Sequence, residues 1–283
     1  MRVAVGASSF SGSVPGCEVV LNPYGRKLTE DETIAHLHGC DGLLAGLEPL
    51  SERVFSACPD LRAVARIGIG MENVDLAAAK RYNIKVSNTP DAPTDAVAEM
   101  TLAALLSIGR QIIPANADMH TGIWKKRMGF SLMGCSALIV GYGRIGKRFA
   151  SLLEPFKVNL LVYDLAQPGK SFEELLPDAD VISLHASGSS VILGEEQFDL
   201  MKKQAIVLNS ARGGLVDESA LCRFLDRGGY YWADAFVEEP YVGALTSRQN
   251  AVLTPHISTY TTVCREKMEA QAVENLLMDL GQI

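Results

Sequence analysis

The sequence predicts an α/β protein of two doubly wound parallel-sheet domains, the second a Rossmann dinucleotide-binding domain. Three observations carry that reading. Short β-branched runs alternate with helix-period segments along the chain, the pattern of parallel sheets covered by helices. The 283 residues suit two domains better than one. A glycine-rich turn, Gly141-Tyr-Gly143-Arg-Ile-Gly146, follows the first strand of the second half of the alternation.

The first series places strands at Arg2–Val5, Glu18–Leu21, Gly42–Leu44, Ala63–Arg66 and Lys85–Ser87, with helices starting near Thr29, Ser51 and Asn73. Residues 88–94 carry two prolines and end in N-cap residue types, so they read as a hinge into a helix over Asp95–Arg110. That helix is apolar on several faces, which places it between domains or subunits. The second series begins at Cys135. Its strands are Ala137–Gly141, Asn159–Asp164, Val181–His185, Ala205–Asn209, Tyr231–Phe236 and Ala251–Thr254, and the pattern is helical from Arg265 onward. A ligand is expected in a cleft at the carboxyl ends of the strands.

Composition excludes several function classes. A content of 48% hydrophobic and 21% charged residues describes a globular protein with a sizeable core. The net charge of −7 argues against sequence-independent binding to nucleic acid, which needs clustered Lys and Arg. Six scattered cysteines form no C-x-x-C pair, so neither a metal site nor a disulfide framework is expected, and free thiols suit a reducing compartment. Met1–Gly6 reads as a strand rather than a signal peptide, and the apolar run Ala96–Ile113 is broken by Glu99 and Arg110. The expectation is a cytoplasmic protein that contacts neither membrane nor nucleic acid.

A lone G-x-G-x-x-G is weak, but its context here is specific. The strand Ala137–Val140 runs into Gly141, residues 145–156 continue as a helix, and the next strand ends at Asp164, near the expected spacing. Gly141 permits the tight turn, Gly143 lets the backbone approach a pyrophosphate, and Gly146 allows close helix–strand packing. The helix N-terminus, including Arg144 and Ile145, offers N–H groups and a positive dipole end to phosphates. Asp164 is placed to accept from ribose hydroxyls and to repel a 2′-phosphate, so NAD is favoured over NADP. Three further strand ends carry polar groups. Arg212 follows one strand, Asp234 and Glu239 follow the next, and His256 follows the last, so Arg212, Glu239 and His256 can converge on one face.

The segments Arg66–Asp75, Gly141–Gly146, Asn209–Glu218, Asp234–Pro240 and Thr254–Ile257 resemble the D-2-hydroxyacid dehydrogenase family in order and spacing. The resemblance implies a catalytic set of Arg212, Glu239 and His256, with Ala211 and Asp234 contacting the cofactor. It implies that Arg66, Ile67, Gly68, Ile69 and Gly70 bind the substrate, the loop Ile67–Met71 presenting backbone N–H groups to its carboxylate. The terminal helix would return to the first domain, giving boundaries of 1–93 plus 265–283 and of 94–264. The apolar helix and residues 115–124 are similar to the region through which family members pair, so a homodimer is expected.

The chemistry agrees with those assignments. His256 can exchange the proton of a hydroxyl at neutral pH. Glu239 would orient its ring, and Arg212 would present a planar cationic fork to a carboxylate. The glutamate also argues against the similar formate dehydrogenases, which pair this His with Gln. One departure stands out. The family usually carries Pro and a hydroxyl residue soon after the His of the third strand, whereas this chain reads His185-Ala-Ser-Gly-Ser-Ser190, so His185 stays outside the catalytic set.

The expected activity is NAD-dependent interconversion of a D-2-hydroxy acid and its 2-keto acid. Arg26, Lys27 and Arg66 lean toward a phosphorylated substrate, taking 3-phosphoglycerate to 3-phosphohydroxypyruvate, in a member closest to phosphoglycerate-dehydrogenase-like proteins without a C-terminal regulatory domain. The alternatives are a glyoxylate or hydroxypyruvate reductase, or an NAD-sensing binding protein similar to the C-terminal-binding-protein corepressors. The chain's brevity and lack of long polar tails favour the enzyme.

Overall fold

The structure, a computed structural model, describes every residue except Pro168 and Ser189. Ser189 of the loop after His185 therefore lies outside the described residues. The chain divides into two compact units, Met1–Pro93 with Thr261–Ile283, and Thr94–Tyr260.

The first unit contains β1 (Arg2–Val5), β2 (Glu18–Leu21), α1 (Glu30–Leu37), β3 (Gly42–Ala45), α2 (Glu52–Ala57), β4 (Ala63–Arg66), α3 (Leu76–Arg81) and β5 (Lys85–Asn88). Its sheet runs β2-β1-β3-β4-β5, every pair parallel. Local chemistry sets the helix starts. Thr29 and Ser51 are the N-caps of α1 and α2, and Thr29 forms a reciprocal capping box with Glu32. The cap of α3 is Asp75, two residues past the expected Asn73, whose amide instead donates to the Glu48 carbonyl at 2.7 Å. Strand β3 is buried along its whole length, as a central strand covered on both faces must be. Its side chains pack with Phe55, Leu61 and Val64, each large one contributing about 1.5–3 kcal/mol relative to exposure.

The second unit begins with α4 (Pro93–Gly109) and α5 (Ile112–His120), which meet at a 63° bend at Gln111, a residue in the left-handed region. Helix α4 starts two residues before the expected Asp95 because the fixed φ of Pro93 suits a first helical turn. Then follow β6 (Ser136–Val140), α6 (Arg144–Leu153), β7 (Asn159–Tyr163), α7 (Phe172–Leu175), β8 (Val181–Leu184), α8 (Glu195–Leu200), β9 (Ile206–Asn209), α9 (Glu218–Asp226), β10 (Tyr230–Ala233) and β11 (Ala251–Leu253). The sheet runs β11-β10-β9-β8-β6-β7, again all parallel. Strand β7 forms the sheet edge where the Rossmann archetype carries a further strand. The last helix, α10 (Thr262–Asp279), belongs to the first unit and packs on β3, β4 and β5.

Both sheets share a device. The second strand lies on one side of the first and the third strand on the other, so the winding reverses between β1 and β3 and between β6 and β8. The crevice at the carboxyl ends of such strands is where open α/β sheets bind ligands. Among the described residues no single helix is long and apolar enough to cross a membrane.

Candidate active site

At the end of β6 the three glycines have separate reasons to lack a side chain. Gly141 has φ +90°, and a Cβ there would lie 2.7 Å from the backbone nitrogen of Ala186. At Gly146 a Cβ would lie 2.1 Å from the carbonyl oxygen of Gly141, so α6 can pack on this turn only through glycine. A Cβ on Gly143 would meet nothing within 4 Å. The first two glycines serve protein packing, and the third keeps space for something else. Gly143 is also the N-cap of the ten-residue α6, with no side-chain cap, and Arg144 and Ile145 form its first turn. Asp164, just past β7, accepts from Tyr142 N at 2.6 Å and Ala166 N at 2.8 Å. These backbone N–H groups hold its carboxyl below the usual range, so it stays ionised beside the loop. A turn with open space over Gly143, the N–H groups of a first helical turn and an anchored carboxylate fits NAD.

The ends of β10 and β11 bring Glu239 and His256 together. Both Glu239 carboxylate oxygens lie 3.1 Å from His256 Nδ1. One of them also accepts from Phe236 N at 3.0 Å, fixing the carboxylate. His256 has φ +54°, in the left-handed region that costs a non-glycine residue strain. Asp234 explains how that backbone is held. Its carboxylate, 2% exposed, accepts from Thr254 Oγ1 at 2.7 Å, Ile257 N at 2.9 Å and Ser258 N at 2.8 Å. Beside the cofactor contact expected of Asp234, three of a carboxylate's about four acceptor positions brace the His256 turn, leaving one for a cofactor. Strand β10 ends at Ala233, three residues before the expected Phe236, where its pairing with β9 and β11 stops.

Arg212 follows β9, and its guanidinium donates to the Ala211 carbonyl at 2.9 Å. Sequence reading missed the residue that shapes this loop. Asn209, fully buried, accepts from Ala211 N at 3.1 Å and donates to the Arg212 carbonyl at 2.9 Å. A lone asparagine ending an apolar strand was the available signal. Gly213 then presses on the next loop, where a Cβ would lie 2.5 Å from the Phe236 and Val237 backbone. The loops carrying Arg212 and Glu239 thus touch backbone to backbone.

His185 is placed differently. Its Nε2 lies 2.8 Å from Ser183 Oγ, its Nδ1 lies 3.0 Å from Ser210 Oγ, and its ring packs on Phe149. Burial pushes it down to about 3, so it is neutral at physiological pH and ties β8 to the loop after β9. Among the described residues no cluster of His, Cys, Asp or Glu could hold a metal ion.

The substrate loop expected at Arg66–Gly70 lies in the first unit. Two of its N–H groups are already engaged: Ile67 N donates to Ala45 O at 2.9 Å and Gly68 N to Thr89 Oγ1 at 2.8 Å. That narrows the expectation to the N–H groups of Ile69, Gly70 and Met71. The Arg66 guanidinium folds back to the Ile67 carbonyl, filling the space a Cβ on Gly68 would need. Arg26 is committed elsewhere. It pairs with both carboxylate oxygens of Glu32, at 2.9 and 2.7 Å, and lies over the Tyr24 ring.

The sequence matches the family described as D-isomer specific 2-hydroxyacid dehydrogenase, NAD binding domain, over residues 102–258. The chain belongs to the D-2-hydroxyacid dehydrogenases. Among its relatives, glyoxylate reductase of Thermococcus kodakarensis is 34% identical over 92% of this chain and 86% of its own. D-3-phosphoglycerate dehydrogenase of Homo sapiens is 35% identical over 92% of this chain, which covers 54% of that relative. The crystal structure of the TT0316 protein from Thermus thermophilus superposes with a TM-score of 0.88 at 33% identity, covering 99% of this chain and 97% of its own. As a member of this family the dehydrogenase is an NAD-dependent oxidoreductase acting on 2-hydroxy and 2-keto acids.

Proposed function

We propose that this dehydrogenase reduces a small 2-keto acid of the glyoxylate or hydroxypyruvate kind to its D-2-hydroxy acid, with His256 as the proton donor. The observation that carries the reading is the His256–Glu239 pair. With Nδ1 held by the carboxylate, Nε2 is the ring atom left to exchange a proton with the substrate oxygen. When bound, NADH supplies the hydride to the keto carbon. His256 gives its proton to the oxygen of that carbon, and Glu239, on Nδ1, holds the ring oriented for that transfer. Arg212 polarises the carbonyl and pairs with the acid carboxylate. Asp164 takes the ribose hydroxyls. The test is NADH oxidation with a panel of 2-keto acids. Turnover of glyoxylate or hydroxypyruvate is expected, whereas tight NADH binding without turnover of any of them would favour a binding protein that senses NAD.

A homodimer is the second part of the proposal. Residues Ile112, Ile113, Met119, Ile123 and Trp124 on α5 and just beyond are exposed, Trp124 by 82%, and a second copy would cover them. Trp124→Glu is expected to shift the protein to monomer in light scattering. Six free cysteines suit a reducing, cytoplasmic setting.

A further inference from the structure

The first unit has a crevice of its own at the ends of β1 and β3, where its winding reverses. Glu48 fills it. The side chain is 1% exposed, and its two oxygens lie 3.1 and 3.0 Å from Gly46 N. It lies so close over Gly6 that a Cβ there would be 2.0 Å from Glu48 Oε1. Burial pushes its carboxyl up, against backbone N–H groups that include Gly46 and against the smaller pull of the Arg66 and Lys27 charges toward the ionised form. A backbone N–H at a strand end, with two cations nearby, is the chemistry of an anion site.

We propose that Glu48 is an internal anion standing where a distal phosphate of the substrate would otherwise bind, so that the enzyme selects 2-keto acids without one. Strand pairing puts Ala45 beside Arg66, so Glu48 lies three residues past the strand end next to the substrate loop. The Arg66 and Lys27 charges that favour a phosphorylated substrate in the sequence are offset by this carboxylate, and Arg26 is taken by Glu32. The inference rests on the reading that the loop of Ile69, Gly70 and Met71 holds the acid carboxylate.

The experiment compares kcat/KM for hydroxypyruvate and phosphohydroxypyruvate, with NADH, in the wild type, Glu48→Gln and Glu48→Ala. The wild type is expected to favour hydroxypyruvate by about tenfold or more, and both variants to narrow that ratio by about tenfold, chiefly through KM for the phosphorylated acid. Titration calorimetry with inorganic phosphate reads the anion position without turnover, and binding is expected in Glu48→Ala but not in the wild type. Equal or better use of phosphohydroxypyruvate by the wild type would overturn the proposal. So would an unchanged ratio in Glu48→Gln, the variant that keeps the side-chain volume. If the wild type turns over no keto acid, the functional reading fails, and phosphate calorimetry still decides the role of Glu48.

Discussion

At the end of β6 the side chain missing from Gly143 leaves open space, whereas at the end of β1 the space beside Gly6 is already taken by Glu48. The two sheets wind alike up to these points. In the second unit the titratable residue after the third strand, His185, is drawn away to Ser183, Ser210 and Phe149. In the first unit its counterpart, Glu48, folds back over the crevice. The same reversal of winding occurs in both units, with open space over Gly143 in one and Glu48 lying over Gly6 in the other.

The comparison can be broken by filling both glycines. Gly6→Ala should cost about 2–4 kcal/mol in chemical denaturation, from overpacking and from a buried carboxylate pushed off its donor. Its NADH affinity should stay unchanged, and adding Glu48→Ala should restore most of the loss. Gly143→Val should do the opposite. NADH affinity is expected to fall roughly 10–100-fold, the equivalent of about 1–3 kcal/mol, with stability within about 1 kcal/mol of the wild type. A Gly6→Ala protein as stable as wild type would mean that Glu48 does not fill the crevice.

His185 sharpens the comparison through pH. Its folded pKa, about 3, lies below the ordinary 6.5. Between those values the unfolded chain binds a proton that the folded chain refuses, so stability falls as pH drops from 6.5 toward 3. The slope from this one group is at most about 1.4 kcal/mol per pH unit. The contribution is fully present above pH 6.5. Denaturation of His185→Gln from about pH 7 to about pH 4 should show a shallower loss than wild type.

Much of this was legible in the sequence for local reasons. Thr29 and Ser51 cap helices by hydrogen bonds within three residues, and the glycines at 141 and 146 report turns and packing visible in a short window. Glu239 and His256 were legible because each follows a strand end in the same sheet. What stayed hidden depends on partners far along the chain. The brace from Asp234 to Ser258 spans twenty-four residues. Asn209 and Glu48 give no periodic signal, since a single polar residue in an apolar run looks the same whether it shapes a loop or plugs a crevice.

The most direct test of the central claim is His256→Gln, measured by NADH oxidation with glyoxylate beside NADH binding by fluorescence. Proton transfer from a positioned side chain accounts for about 10²–10⁴ in rate, so turnover should fall by that factor while NADH affinity stays within about threefold of wild type. Undiminished turnover, or a collapse of NADH binding with an intact fold, would contradict the account of His256 as the proton donor.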